Sequence, residues 1–357
     1  MTSLAERLAT RTLELIDIPS ESRHEAAVRE HLLSLIPAGY TAEFAGDDAY
    51  LFAPERRPDA PLIVLAGHYD TVPAQDNIPG RIEDGIVHGL GAADMKGGVA
   101  VALELVRDLA ADPPDSADVA LLLFGREEIP AQFSALPELF EHSQLVGQAS
   151  LAILLEPTAG AIHAGCVGNL NAHVTFRGVS GHSARPWLAE NAVHKALVAL
   201  TPVSALERRE VVISGLPFYE VVSVTRIEAG IADNVVPDRA TATLNFRYTP
   251  DRTTEQAEAY LRSLVTDADH IEFSGASPPA RVVADAPLVQ ALQRAGDLSV
   301  EPKQAWTNVA DFTTRGIDAV NFGPGDPHFA HRRDEQVEIA ALVHCYETLR
   351  TFVAESS

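Results

Sequence analysis

Four short, almost wholly apolar runs constrain the fold of this chain more than any other feature. They lie at 62–66, 119–124, 151–155 and 319–322, and an amphipathic stretch at 99–110 separates the first two. Strands that are buried on both faces read as continuous apolar runs, and helical stretches between them are typical of parallel strands joined by crossovers. The sequence therefore predicts an α/β fold around a mostly parallel sheet.

Composition narrows the class of protein. The 357 residues are 46% hydrophobic, a fraction too high for a disordered chain. The 27 Lys and Arg against 50 Asp and Glu leave a formal charge of −23, which disfavours nucleic acid as a partner. No apolar stretch approaches the ~18 residues of a membrane span, and no secretory leader is recognisable. Cys166 and Cys345 form no C-x-x-C pair, which excludes a disulfide scaffold and a thiolate zinc site. We expect a cytoplasmic globular protein with no nucleic-acid or membrane partner.

The pattern changes in the middle of the chain. Ala172, Val174 and Phe176 alternate with polar neighbours, which is typical of strands with one solvated face. We predict strands near 171–178, 209–226, 239–248 and 270–274 and helices near 190–200 and 253–265. This βαββαβ order is ferredoxin-like. The sequence thus predicts a catalytic domain formed by 1–168 and 280–357, and an inserted α+β domain at 169–279.

Two S-x-x-E sequences predict helix starts near the N-terminus. Ser3 with Glu6, and Ser22 with Glu25, each precede apolar residues at helical spacing. In such a capping box the serine accepts a backbone N–H of the first turn, and the glutamate reaches back to the N-cap. We expect a capped helix after each serine.

Acidic and imidazole side chains follow the apolar runs. They are His68, Asp70, Glu127, Glu128, Glu156, His328 and His331, and a glycine-rich loop at 89–98 carries Asp94. Any one of them alone is more often a surface or solvated group, but ligands of open α/β sheets collect at the carboxyl ends of the strands, where all of these fall. Histidine and carboxylate ligands without thiolates suit Zn²⁺, with Co²⁺ or Mn²⁺ as substitutes.

Five motifs in this order resemble the co-catalytic metallopeptidases of the M20 family. They are the segments 67–73, 94–98, 127–128, 156–158 and 181–184, and the resemblance extends over nearly the whole chain. It implies a zinc-peptidase catalytic domain with an inserted lid that also serves dimerisation, so that the protein is a homodimer. It further implies two Zn²⁺ ions and hydrolysis of an amide in a small N-acyl amino acid.

The resemblance also implies a role for each motif residue. Asp94 would bridge the ions and precede a cis peptide bond, with His68 and Glu156 completing one site and Glu128 and His331 the other. Asp70 would fix the ring of His68, Glu127 would be the general base, and His182 would stabilise the oxyanion in the partner subunit's site. His331 is preferred to His328 because it matches the family position. Arg126, which precedes the glutamate pair, departs from the family pattern and would lower the pKa of Glu127 if it faced that carboxylate.

The segments 187–195, 234–238, 245–248 and 321–327 resemble a desuccinylase subgroup of the family. This implies hydrolysis of N-succinyl-L,L-2,6-diaminopimelate to succinate and L,L-diaminopimelate, a step of lysine synthesis. Asn234, Arg247 and Arg185 are the candidate substrate-binding residues. Further cations that could bind a substrate carboxylate are Lys96, Arg315, Arg332 and Arg333.

Alternatives to this substrate remain open. The arginine that many desuccinylases carry just before the lid is missing from 165–169, so an N-acyl-amino-acid deacylase, a dipeptidase or a carboxypeptidase is the alternative within the family. A binding protein that has lost catalysis is disfavoured, because both Glu127 and the full ligand set are present.

Overall fold

The four apolar runs all form strands in the computed structural model, which describes residues 2–355. The strands are β1 Thr41–Ala45, β2 Ala49–Ala53, β3 Leu62–His68, β4 Arg81–Glu83, β5 Ile86–His88, β6 Asp118–Phe124, β7 Leu151–Leu154, β8 Ile162–Cys166, β9 Gly168–Arg177, β10 Gly181–His182, β11 Arg209–Ile213, β12 Leu216–Ala229, β13 Val235–Val236, β14 Arg239–Tyr248, β15 His270–Ser277, β16 Val300–Lys303, β17 Ala319–Asn321 and β18 Gln336–Glu338. The helices are α1 Leu4–Ile16, α2 Ala26–Ser34, α3 Gly97–Ala111, α4 Leu136–His142, α5 Ala192–Ser204, α6 Thr254–Leu264, α7 Pro287–Gly296, α8 Val309–Thr313 and α9 Ile339–Glu355.

An eight-stranded sheet with the order β1-β2-β6-β3-β7-β17-β8-β16 forms the frame of the first part of the fold. Its central strands β6, β3, β7 and β17 are parallel, whereas β1 runs antiparallel to β2, β2 to β6 and β8 to β17. Every residue of β3 and β6 is buried, and α1, α3 and α9 pack against one another. The predicted α/β class with a mostly parallel central sheet is confirmed, and the carboxyl ends of the central strands meet at one edge.

A five-stranded antiparallel sheet, β11-β12-β14-β9-β15, forms the other part. Helices α5 and α6 contact it through a common core that includes Leu170, Phe176, Leu244 and Phe246. The order β12-β14-β9-β15 is that of a ferredoxin-like sheet, as predicted. The strand predicted at 209–226 is instead a hairpin of β11 and β12, because Ser214 and Gly215 both adopt positive φ (48° and 79°), which suits a tight two-residue turn.

The chain divides into two units. The first comprises the described residues up to Ala164, Val283–Glu301 and those from Asp311 onward; the second comprises Gly165–Val282 and Pro302–Ala310. The predicted insertion at 169–279 lies inside the second unit. Pro302–Ala310 joins that unit through backbone contacts such as Val167 N–H to Lys303 O at 3.3 Å, which no sequence feature marks.

One of the two predicted helix caps is wrong. Ser3 and Glu6 form the expected capping box of α1. At α2 the N-cap is Glu25 without a side-chain cap, Glu25 instead accepts the N–H of Arg23, and the Ser22 hydroxyl points to Asp70. A short-range pattern could not reveal this long-range competitor for the serine. Separately, no helix within residues 2–355 has both the length and the apolarity to cross a bilayer.

Candidate metal centre

The edge of the large sheet brings the predicted acidic and imidazole side chains together in the first unit. His68 is the last residue of β3, the pair Glu127 and Glu128 follows β6 by three residues, and Glu156 follows β7 by two. Parallel strands present their carboxyl ends at the same edge, so side chains far apart in sequence become neighbours. His331 reaches the same place from the loop after β17, where its φ is +62°.

Asp94 enters the site from the loop between β5 and α3. The Asp94–Met95 peptide bond is cis, as the family resemblance implies. The backbone N–H groups of Ala93 and Asp94 donate to Glu335 Oε1 at 3.1 and 3.0 Å. At Gly98 a Cβ would lie 2.3 Å from the carbonyl oxygen of Leu155, so only glycine lets the first turn of α3 approach the end of β7. The backbone on both sides of Asp94 is therefore closely held.

The two carboxylate oxygens of Asp94 face two different histidines. His68 Nε2 lies 3.1 Å from Oδ1, and His331 Nε2 lies 3.5 Å from Oδ2 and 3.0 Å from Glu128 Oε1. The ligand atoms of His68, Asp94 and Glu128 all lie within 4.8 Å of one another. His328 is not part of this arrangement, because its Nε2 accepts from Arg332 Nη1 at 3.1 Å.

This centre stabilises positive charge. Hydrogen bonding to Glu128 raises the pKa of His331 to about 9. Burial acts to lower the pKa of His68, but its hydrogen bonds with Asp70 and Asp94 raise that pKa well above its usual value. Burial, together with the nearby charges of Glu156, Glu128 and Asp94, raises the pKa of Glu127 well above that of an ordinary glutamate, although His68 opposes the shift.

The donor set fits divalent metal ions. Two ligand atoms that each lie ~2.0–2.1 Å from one tetrahedral Zn²⁺ are ~3.3 Å apart. The distances of 3.0 to 3.5 Å from the imidazole nitrogens to Asp94 and Glu128 agree with that geometry. Glu156 is 5% exposed and close enough to Glu127 to influence its pKa, so it belongs to the same cluster.

Asp70 lies beneath the cluster and is fully buried. His68 Nδ1 is 3.1 Å from the main-chain oxygen of Asp70 and 3.5 Å from its Oδ1. Oδ1 accepts the N–H of Glu127 at 3.1 Å, and Oδ2 accepts that of Glu128 at 3.2 Å. An N–H at Nδ1 leaves the lone pair of Nε2 directed at the cluster, which is the tautomer that a metal ligand needs.

Arg126 does not act on Glu127 in the way the sequence allowed. Its guanidinium forms an ion pair with Asp48. Arg126 has φ +63°, and the backbone turns there before the glutamate pair. The cation is therefore held by Asp48, and it is not among the main groups that shift the pKa of Glu127.

The remaining predicted site residues lie in the second unit. His182, Arg185 and Asn234 are exposed. The segments of His182 and Asn234 are neighbours, because His182 pairs with Val235 in a short antiparallel ladder and the N–H of Ser183 donates to Asn234 O at 3.0 Å. His182 Nδ1 accepts the N–H of Ala184 at 3.0 Å, so the neutral ring carries its proton on Nε2. That nitrogen can donate a hydrogen bond to an oxyanion.

Arg247 is half-buried on β14. Its Nε donates to Asn245 Oδ1 at 3.1 Å, and burial lowers its pKa. Within residues 2–355 its guanidinium has no carboxylate partner. The other candidate cations are engaged: Lys96 Nζ donates to Leu15 O and Ile18 O, Arg315 contacts Asp311, Arg332 pairs with Asp334 and Arg333 with Asp76.

Three polar residues around the centre have roles that the sequence did not reveal. Ser22 Oγ donates to Asp70 Oδ2 at 2.6 Å, and Glu335 accepts the backbone of Asp94. Lys96 is 1% exposed and connects the loop of Asp94 to the end of α1. Two of them carried a sequence signal, because Glu335 follows His331 by four positions and Lys96 belongs to the segment 94–98.

Comparison with known proteins places these motifs in a family. Residues 64–355 match the model of peptidase family M20/M25/M40. A putative succinyl-diaminopimelate desuccinylase of Mycobacterium tuberculosis is 38% identical over 344 residues, which are 96% of this chain and 96% of that protein. The succinyl-diaminopimelate desuccinylase of Corynebacterium glutamicum is 37% identical over 358 aligned positions, covering 96% of this chain and 95% of the relative.

Solved structures share the fold at lower identity. An aminopeptidase of Bacillus cereus superposes with a TM-score of 0.79 at 19% identity and covers 99% of this chain and 98% of its own. A dinuclear metal-binding peptidase of the M20 family from Bacillus subtilis superposes with a TM-score of 0.70 at 16% identity, covering 98% and 97%. At such identities the likeness concerns the fold alone.

Proposed function

The chain belongs to peptidase family M20/M25/M40, and from this premise we propose that it removes the succinyl group from N-succinyl-L,L-2,6-diaminopimelate. The products would be succinate and L,L-diaminopimelate, as in lysine synthesis. The observation that carries the hydrolytic part is Asp94, whose two oxygens face His68 and His331. The two desuccinylases that match over 96% of the chain support the substrate.

In this proposal Asp94 would contribute to the binding of two divalent ions. His68 and Glu156 would hold one with Asp94, and Glu128 and His331 would hold the other; the ions would be Zn²⁺, with Co²⁺ or Mn²⁺ as substitutes. When bound, such a pair supplies Lewis acidity that polarises the amide carbonyl and makes water easier to deprotonate. Asp70 keeps the proton of His68 on Nδ1, through the contacts at 3.1 and 3.5 Å.

Glu127 is the proton carrier. Its carboxylate takes a proton from the attacking water while the water oxygen forms a bond to the amide carbon. It then returns that proton to the amide nitrogen as the C–N bond breaks, so that one water is consumed and a carboxylic acid and an amine leave. The carboxyl of Glu127 is buried close to Glu156, Glu128 and Asp94, which places it next to the proposed metal ligands.

His182 and the cations of the second unit would bind the substrate. The Nε2 proton of His182 suits a developing oxyanion. Since the chain carries a net charge of −23, a substrate with several carboxylates needs local cations. Arg247 is the best candidate, because its guanidinium is half-buried with no carboxylate partner among the described residues, and Arg185 and Asn234 are further candidates.

A second activity of the same centre is favoured by one observation. The segment 165–169 carries no arginine, so the terminal carboxylate of a succinylated substrate lacks one binding group of many desuccinylases. Hydrolysis of N-acetyl amino acids, dipeptides or C-terminal peptide bonds needs fewer cations. This is the alternative against which the proposal is tested.

The deciding experiment compares kcat/KM of the zinc-loaded enzyme for succinylated, acetylated and dipeptide amides. We expect the succinylated diaminopimelate to be preferred at least tenfold, and Arg247→Met to reduce that preference. Arg208→Met is the matched control, because Arg208 lies over the ring of Tyr219 in the same unit. A tenfold preference for acetylated or dipeptide substrates, about 1.4 kcal/mol in the opposite direction, would overturn the desuccinylase assignment and leave the amidohydrolase intact.

The homodimer proposed from the family resemblance is supported by apolar surface on the second unit. Leu197 and Val198 of α5 are 56% and 69% exposed. Beyond Glu220, the outer edge of β12 pairs with no strand among residues 2–355. Exposed edges and apolar patches of this kind favour association with a second copy.

Light scattering tests the dimer directly. Val198→Asp should shift the protein from dimer to monomer, because it places a charge in the apolar patch. Ile82→Asp, at an exposed apolar position of the first unit, should leave the dimer intact. A wild-type protein that is monomeric at micromolar concentration would contradict the proposal.

A further inference from the structure

Ser22 lies beside the metal centre although it is 48 positions before Asp70 in the chain. Its segment runs alongside the residues that follow β3: Ser22 N–H donates to Thr71 O at 3.1 Å, and Thr71 N–H donates to Ser20 O at 2.9 Å. These backbone bonds hold the Ser22 hydroxyl against Asp70, and Oγ donates to Oδ2 at 2.6 Å. Ser22 is 9% exposed, so water competes little for this hydrogen bond.

The orientation of the Asp70 carboxylate fixes three parts of the site at once. Its Oδ1 lies 3.5 Å from His68 Nδ1, whose nearer partner is the main-chain oxygen of Asp70, and the two carboxylate oxygens accept the backbone N–H groups of Glu127 and Glu128. A planar carboxylate is oriented by its donors, and charge-assisted hydrogen bonds are the strongest of them. Apart from His68, Ser22 is the sole side-chain donor to Asp70 among residues 2–355.

We propose that Ser22 is a positioning residue of the reaction, which acts through Asp70 on His68 and on the Glu127–Glu128 backbone. The inference rests on the proposed function of the centre. Without the hydroxyl, Oδ2 keeps one donor, the N–H of Glu128, and the orientation of the buried carboxylate is less tightly held. The imidazole of His68 and the turn that carries the general base then lose their common support. A serine that merely stabilised the fold would leave metal affinity and turnover per folded molecule unchanged.

The test compares Ser22→Ala with Ser20→Ala. Ser20 is a matched control, because it is also buried in the same segment but its Oγ makes no hydrogen bond within residues 2–355. For Ser22→Ala we expect kcat to fall and the zinc dissociation constant, measured against a competing chelator, to rise, each by ~10–100-fold, with little change in KM. Ser20→Ala should change both by less than about twofold, and Ser22→Thr, which keeps a hydroxyl, should retain most of the wild-type values.

Zinc affinity and kcat together distinguish a failure of the Ser22 proposal from a failure of the proposed function. Equal zinc affinity and equal kcat per folded molecule in Ser22→Ala and Ser20→Ala would overturn the proposal, whatever their melting temperatures. If Ser22→Ala does not fold, Ser22→Cys is the substitute, because its side chain has a similar volume but is a weak donor. Ser22→Cys should still bind zinc more weakly than Ser20→Ala, and equal zinc binding would overturn the proposal. If the wild type hydrolyses no N-acyl substrate, the proposed function fails, while zinc affinity still decides the role of Ser22.

Discussion

Adjacent residues in this site have different surroundings, and the surroundings set their chemistry. Glu128 directs Oε1 at His331 Nε2, 3.0 Å away, which makes it a candidate ligand. The carboxyl of Glu127 instead lies among His68, Glu156 and Asp94; burial and the two carboxylates raise its pKa, although His68 opposes the shift. One backbone turn, held by Asp70, presents both side chains.

The clearest consequence at this scale concerns Glu127. Glu127→Gln keeps the shape of the side chain but cannot carry a proton, so we expect kcat to fall by ~10²–10⁴-fold or more. Zinc content and melting temperature should stay close to the wild type, since Glu127 is not a predicted ligand. Near-normal kcat in a zinc-replete variant would remove Glu127 from its proposed role.

Removal of metal is the second prediction for these residues. Dialysis against a strong chelator should abolish hydrolysis and lower the melting temperature, because ions that bind only the folded state stabilise it by mass action. Zn²⁺, Co²⁺ or Mn²⁺ should restore both properties. Full activity after the metal content has fallen to zero would contradict a metal-dependent centre.

Close backbone contacts between elements determine how the site is assembled. The first turn of α3 meets the end of β7 at Gly98, where a Cβ would lie 2.3 Å from Leu155 O. The same oxygen would be 2.3 Å from a Cβ at Gly323, which follows β17. Helix α3 and the ends of β7 and β17, which carry or flank predicted ligands, thus converge at a point where no side chain fits.

A methyl group at Gly98 should destabilise the folded protein. Gly98→Ala should lower the free energy of unfolding by more than about 2 kcal/mol, because the contact is with backbone that cannot rotate away. Gly147→Ala is the control, since a Cβ there meets nothing within 4 Å. Urea denaturation of both variants measures the difference, and equal stabilities would refute the close contact.

Helices α1, α3 and α9 meet at an ion pair whose pH dependence can be predicted. Arg7 donates to both oxygens of Asp108 at 2.8 and 2.6 Å and lowers its pKa, and Tyr346 also donates to Asp108. A carboxyl whose pKa is lower in the folded state adds stability above its unfolded pKa and loses it as the pH falls through the folded value.

Asp108→Asn should therefore be less stable than the wild type by about 1–2 kcal/mol at pH 7. The two proteins should converge as the pH falls below about 4, the usual pKa of an aspartate in an unfolded chain. Denaturant unfolding at pH 7, 5 and 3 measures this convergence. A difference that is constant over the three pH values would show that the charge of Asp108 is not its cause.

At the scale of the whole molecule, the proposed homodimer makes the catalytic set depend on two chains. The family resemblance implies that His182 acts in the partner subunit's site, and the exposed side chains of α5 and the open edge of β12 offer the contact surface. A symmetric dimer then has two equivalent sites, each completed by the other chain.

Mixed dimers test this dependence. His182→Ala and Asp94→Ala should each be nearly inactive, but a refolded equal mixture should recover about a quarter of wild-type activity, because half of the dimers are mixed and each holds one complete site. Mixed dimers shown to form, yet without any recovered activity, would argue that His182 acts within its own chain.

The sequence alone determines the central strands and the position of the charged groups at their ends. Short apolar runs such as those that became β3 and β6 are typical of strands buried on both faces, and parallel strands place His68, Glu127 and Glu156 at one edge. The ferredoxin-like pattern of the second unit follows in the same way from local alternation. These are properties of short stretches, which is why they can be read from a single chain.

Only the tertiary structure decides which polar groups become partners. The Ser22 hydroxyl could have capped a helix, and instead it binds Asp70; Glu335 accepts the backbone of Asp94, and Arg126 pairs with Asp48. The second strand of the inserted sheet became a hairpin, and Pro302–Ala310 joined the second unit. Each outcome depends on contacts between residues far apart in the chain, where several partners of equal chemistry compete and the packed backbone selects one.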